Sequence, residues 1–377
     1  MYRFRFRHLA CVAIVSLLTP GFATAADLVI GQVAPFSGTL APTGKSLNLG
    51  VRAYFARVNA NGGIRGDKLK LVTRDDGYKV PETIRLTREL LAKEHPVALV
   101  GFVGTGNAIA LNREGILDAE RVPLVGVRSG AQALREPVPK YIFHTRASYA
   151  AEVQRIINQL KSMGMKRIAV FHQDDPFGQD GLNAAKAGLA AADMELVATG
   201  SYAKGTADVA EAVRLIHAAD PNGVIMVSNT AASTAFVKAM KAAGSYTQMI
   251  ALSVTAGPQV AEKIGVDTAH GLGIVQVVPD PASEAVQISR ELGEDLKRLG
   301  TDELANHTTL EGYLMAKVLV EGIRRAGTSD RATIESALDT MGTYDAGGVT
   351  IRYRPDNHDG SDYTDISILD RAGRLLR

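Results

Sequence analysis

From Asp27 onward, short unbroken apolar runs alternate with longer helical patterns, and this alternation constrains the fold more than any other feature of the chain. Residues 28–33 read as a strand. Residues 44–60 read as a helix with apolar positions at Leu47, Val51, Tyr54 and Val58. It stops at Asn61-Gly62-Gly63, where glycine accepts the left-handed backbone of a helix end. Residues 69–73 form the next strand, and Pro81 opens a helix because its fixed φ suits a first turn. Strands follow at 97–102, 122–127 and 141–144.

The pattern then repeats, with strands at 167–172, 195–200, 223–227 and 249–253 and helices near 180–192, 207–218 and 231–243. Runs such as Ile168-Ala169-Val170-Phe171 lack polar alternation, which suits a parallel sheet covered on both faces. Strand–helix–strand repetition implies right-handed crossovers and a doubly wound sheet. One such sheet rarely extends over about 350 residues, so two α/β lobes are expected. Helices at 283–299, 308–326 and 330–341 and a strand at 363–369 complete the chain. No low-complexity linker separates the halves, so strand crossings rather than a tether should join them.

Residues 1–25 stand apart as a cleavable signal peptide. Arg3, Arg5 and Arg7 precede an apolar run at 9–18, Pro20-Gly21 breaks it, and Ala23-Thr24-Ala25 offers a cleavage site. The run is shorter than the roughly 20 residues a membrane-spanning helix needs. Cleavage after Ala25 or Ala26 would leave a mature chain starting near Asp27. Cys11, the only cysteine, precedes most of the apolar run, so a soluble protein is expected rather than a lipoprotein, and one without internal disulfides. Losing residues 1–25 leaves 39 basic against 40 acidic residues. That balance, without a basic patch, argues against nucleic acid.

Enzyme signatures are missing: there is no H-E-x-x-H, no P-loop and no G-x-S-x-G. No histidines are paired at metal-ligand spacing, so neither a metal nor a cofactor is expected. Val100-Gly101-Phe102-Val103-Gly104-Thr105-Gly106-Asn107 follows a strand and opens a helix. A dinucleotide site would want a third glycine where Ile109 stands, and an acid where the next strand ends in Gly126-Val127-Arg128. A glycine turn at a helix start can instead present N–H groups to a carboxylate, with Thr105 adding a hydroxyl. A second turn, Gly126-Val127-Arg128-Ser129-Gly130-Ala131, follows the neighbouring strand, so both should face one cleft.

These residues, taken in order, resemble the type I periplasmic binding proteins of the leucine/isoleucine/valine family of ABC transporters. The likeness runs through Ala34-Pro35-Phe36-Ser37-Gly38, Asn59-Ala60-Asn61-Gly62-Gly63-Ile64-Arg65-Gly66, Asp75-Asp76 and the Val100–Asn107 turn. It continues through Arg146-Ala147-Ser148-Tyr149, Asp174-Asp175-Pro176-Phe177-Gly178 and Leu310-Glu311-Gly312-Tyr313. The resemblance implies two doubly wound lobes joined by three crossings near 144–146, 274–278 and 348–352. Lobe one is then 27–145 plus 276–348, and lobe two 146–275 plus 349–377. It implies a monomeric receptor that closes on a small-molecule ligand and delivers it to ABC permease membrane subunits, with no catalysis. An exported sensor of the same fold is the alternative.

Carried over residue by residue, the ligand site comprises Thr43, Val103, Gly104, Thr105, Arg128, Ser129, Gly130, Tyr149, Phe177, Asn229 and Ser253. Arg128 replaces a small residue of the family and could pair with a carboxylate. Amino acid binders place an acid near Ser253 for the ligand ammonium, but no Asp or Glu lies between Tyr246 and Gln259. Asp174 and Asp175 read better as caps of the following helix. The expected ligand is therefore a small carboxylate-bearing solute, an aromatic or other monocarboxylate (or another solute uncharged at nitrogen) in preference to an amino acid.

Overall fold

The computed structural model describes residues 27–376, so the expected signal peptide lies outside the described residues. The first unit runs Asp27–Ala34 (β1), Ala41–Ala60 (α1), Lys68–Asp75 (β2), Val80–Glu94 (α2), Ala98–Val103 (β3), Thr105–Arg113 (α3), Ile116–Glu120 (α4), Leu124–Arg128 (β4) and Ile142–Phe143 (β5). Its sheet has the order β2-β1-β3-β4-β5, with every pair parallel. β3 and β4 are buried along their whole lengths, as their unbroken apolar runs require.

The second unit runs Tyr149–Ser162 (α5), Arg167–Asp174 (β6), Pro176–Ala191 (α6), Glu195–Ala203 (β7), Ala210–Ala218 (α7), Gly223–Val227 (β8), Thr230–Ala242 (α8), Gln248–Ala251 (β9), Gly257–Ile264 (α9), Val266–Ala269 (α10) and Gly273–Gln276 (β10). Its parallel strands follow the order β7-β6-β8-β9-β10, which repeats the first sheet. The chain then returns to the first unit with Gln287–Leu299 (α11), His307–Ala326 (α12) and Arg331–Asp339 (α13). A meander follows, Gly342–Asp345 (β11), Thr350–Arg354 (β12) and Asn357–Gly360 (β13). Asp365–Leu369 (β14) and Leu375–Leu376 (β15) close the second sheet as an antiparallel edge.

Two apolar clusters sandwich each sheet. Leu47, Val51, Tyr313, Met315 and Ile323 lie on one face of the first, and Leu90, Phe102 and Leu111 on the other. Phe171 and Phe236 cover one face of the second, and Ile156 and Leu182 the other. α12 is buried along most of its length. It meets α1 backbone to backbone: a Cβ on Gly312 would stand 2.0 Å from the Leu47 carbonyl, and one on Gly50 1.9 Å from that of Thr309.

The third crossing differs from the expectation at 348–352. β12 alternates buried and exposed residues, and Val349, Ile351 and Tyr353 sit in the first unit's core. β13 lies beside β5, with the His144 N–H donating to the His358 carbonyl. The chain rejoins the second sheet only at β14. The passage therefore lies between Gly360 and Asp365, and residues 349–360 pack with lobe one.

Candidate ligand-binding site

The carboxyl ends of β3, β4, β6, β8 and β9 meet around one cavity. It is lined by Leu40, Thr43, Tyr78, Val103, Gly104, Thr105, Arg128, Tyr149, Gln173, Phe177, Asn229 and Val254. Both lobes supply its walls. Of the expected site residues, Thr43, Val103, Gly104, Thr105, Arg128, Tyr149, Phe177 and Asn229 are brought together here.

Each wall has a local cause. Gly104 stands at φ +105, and a Cβ there would come within 2.6 Å of the Tyr78 ring and 2.8 Å of Asn107 Oδ1. Only glycine lets the turn approach so closely. No side chain caps the first turn of α3, whose leading N–H groups have no partner within the helix. Tyr78 is set by Asp76, which accepts from the Tyr78 N–H at 2.9 Å and from the Thr83 hydroxyl at 2.5 Å. Asp175 accepts from the N–H groups of Phe177 and Gly178, capping α6 and fixing the Phe177 ring 5.1 Å from that of Tyr149. Asn229 caps α8 through the Ala232 N–H. Its amide also donates to Gln173 Oε1 at 3.1 Å, an atom that accepts from the Tyr202 hydroxyl at 3.0 Å.

Ser129, Gly130 and Ser253 do not face this cavity. Ser129 is buried behind it, its hydroxyl 2.7 Å from that of Thr105. The Gly130 carbonyl accepts from the Tyr149 N–H at 2.8 Å. Val254 takes the place expected of Ser253, which lines a separate groove with Thr255, Gln276, Asn306 and Thr308. Leu40, Tyr78, Gln173 and Val254 escaped the sequence reading. Gln173 could have been found, since it lies one residue from the end of β6, just before the Asp174-Asp175 pair.

Arg128 lines the cavity but is not a free cation. Its Nη1 meets Glu311 Oε1 at 2.6 Å, and its Nη2 donates to the Ser253 carbonyl at 3.3 Å. Among the described residues, no acid lines the cavity and no acid–histidine group is placed to hold a metal. Burial pushes the Tyr149 hydroxyl above its ordinary pKa, so it acts as a neutral hydrogen-bonding group.

The lobes are shut. Gln173 Nε2 donates to the Tyr78 hydroxyl at 3.2 Å, and the Gln132 N–H donates to Asp180 Oδ1 at 2.9 Å. Lys204 Nζ donates to Asn107 Oδ1 at 3.1 Å and lies 4.0 Å from the Tyr78 ring centre. Tyr78 and Gln173, joined across the lobes, both line the cavity. A ligand must therefore enter and leave by parting the lobes.

Comparison with known proteins agrees with this architecture. The family model described as "Periplasmic binding protein" matches residues 27–369. The chain is 23% identical over 350 residues to Leu/Ile/Val-binding protein homolog 7 of Brucella suis biovar 1 (strain 1330), covering 89% of this chain and 86% of that one. It is similar to the crystal structure of a substrate-binding periplasmic protein from Ralstonia solanacearum, with TM-score 0.89 and 34% identity over 93% of this chain and 99% of that one. An extracellular ligand-binding receptor from Verminephrobacter eiseniae superposes with TM-score 0.88 and 29% identity, covering 93% and 100%.

Proposed function

The chain belongs to the periplasmic binding protein family, and we propose that it is the receptor of an ABC importer for a small monocarboxylate that carries no ammonium group. The ligand acid sits at the open first turn of α3, with Thr105 alongside. Its apolar or aromatic body lies against Tyr78, Tyr149 and Phe177. Residues 1–25 direct export, and the permease subunits engage the shut form.

The charge balance of the cavity carries this reading. Its lining holds no acid, and Arg128, its one charged residue, is paired with Glu311. A ligand ammonium would lie there without a counter-charge, at a cost of several kcal/mol. A carboxylate would meet amide N–H groups and the positive end of the α3 dipole. Closure follows because such a ligand contacts both lobes only when they are shut.

Calorimetry and thermal shift against benzoate, phenylacetate, branched-chain 2-oxo acids and the amino acids leucine, isoleucine and valine test this. A true ligand at a hundredfold excess over its Kd stabilises the receptor by about 2.7 kcal/mol. Tight binding of leucine, isoleucine or valine refutes the reading.

A further inference from the structure

Behind the cavity lies a quartet of buried charges that ligand capture does not require. Arg128 and Glu311 belong to lobe one, Glu152 to lobe two, and Arg146 to the first passage between them. All four are nearly or wholly inaccessible to solvent. Arg128 meets Glu311 at 2.6 Å and Arg146 meets Glu152 at 2.8 Å. Across the lobes, Arg146 reaches Glu311 Oε2 at 3.2 Å and Arg128 reaches the Ser253 carbonyl at 3.3 Å. Arg146 also donates to the Ser253 hydroxyl, while the Ser253 N–H donates to Glu152 at 2.8 Å.

Buried ion pairs seldom add net stability over apolar packing, so a quartet at a lobe boundary calls for another role. Its partition suggests one. Were the lobes to part along this boundary, Arg128 would keep Glu311 and Arg146 would keep Glu152, so that each side would stay neutral while the contacts that cross the boundary were lost.

We propose that Arg128 is a closure-positioning residue: its guanidinium, held by Glu311 and seated on the Ser253 carbonyl, clasps the two lobes and raises the shut population of the empty receptor. This rests on the two-lobe fold and not on the identity of the ligand.

The test uses the chain from Asp27, which has no cysteine of its own. Spin labels are placed through Arg113→Cys on α3 and Lys186→Cys on α6, both exposed. Interlobe distances are then measured by pulsed electron resonance without ligand. Arg128→Lys keeps the charge for Glu311 but loses the planar fork that serves both partners. Arg128→Met with Glu311→Met removes a neutral pair and leaves Arg146 with Glu152. Both variants should lower the shut-to-open ratio about tenfold, the worth of one or two net hydrogen bonds. If variants shown by melting to be folded give the parent's distance distribution, the clasp is refuted. That result would leave the proposed ligand class untouched, since no ligand enters the measurement.

Discussion

Arg146→Met should uncover the electrostatic debt of the quartet, and in a pH-dependent way. Arg146 is fully buried between Glu152 and Glu311. Burial alone would depress its pKa, but the Glu311 and Glu152 carboxylates more than reverse this, so it is held above its ordinary value. Methionine fills similar space without charge. Glu311 then keeps Arg128, but Glu152 keeps only the Ser253 N–H. Removing one partner of a buried pair costs about 3–5 kcal/mol. With an unfolding entropy of about 2 cal/mol/K per residue over roughly 350 residues, the melting temperature should fall by about 4–7 °C. The sign of the pH dependence follows from the stranded carboxylate. Burying a carboxylate without its cation favours the uncharged form. The deficit relative to the parent should therefore be largest at pH 8 and shrink toward pH 5, by up to about 1.4 kcal/mol per pH unit. Differential scanning calorimetry of both proteins at pH 8, 6.5 and 5 measures it. An equal deficit at all three values would refute the electrostatic account and leave a simple packing defect.

Three further outcomes are expected. Burial, reinforced by Arg135, holds the His144 imidazole well below its ordinary pKa. The stability this gives is present above about pH 6.5 and lost as pH falls below it, and His144→Gln should flatten that loss in melting curves between pH 6.5 and 5. Gly312→Ala forces α12 off α1, because its Cβ would stand 2.0 Å from the Leu47 carbonyl. It should lower the urea midpoint by the equivalent of about 3 kcal/mol. Asp175→Ala removes the α6 cap and should cost about 1 kcal/mol in urea unfolding, while weakening any ligand that packs on Phe177.

The lobes were legible because their central strands are buried on both faces, which leaves unbroken apolar runs such as Ile168–Phe171. The glycine turns were legible because they sit where a strand becomes a helix. Other features depend on contacts distant in sequence. Arg128 meets Glu311, 183 residues away, so its spacing could not reveal that the cation is already paired. Tyr78 enters the cavity from a loop whose backbone is left-handed, at φ +66, and its ring lies under Lys204 of the other lobe. Ser253 and Val254 show how much one residue matters. Both sit in the turn that follows β9, where Val254 lines the cavity and Ser253 a separate groove. The third crossing was misplaced because an amphipathic strand looks the same whichever core takes its apolar face.

The backbone contact between α1 and α12 has a mechanical consequence. α1 carries Thr43 at the lip of the cavity, and α12 carries Glu311 in the clasp. With Gly50 and Gly312 pressed against the opposite helix, the two behave as one stiff beam. Movement of one helix should therefore carry the other, which ties the cavity wall at Thr43 to the clasp at Glu311. Whatever reads the outer face of this receptor then reads a single variable, the angle between the lobes.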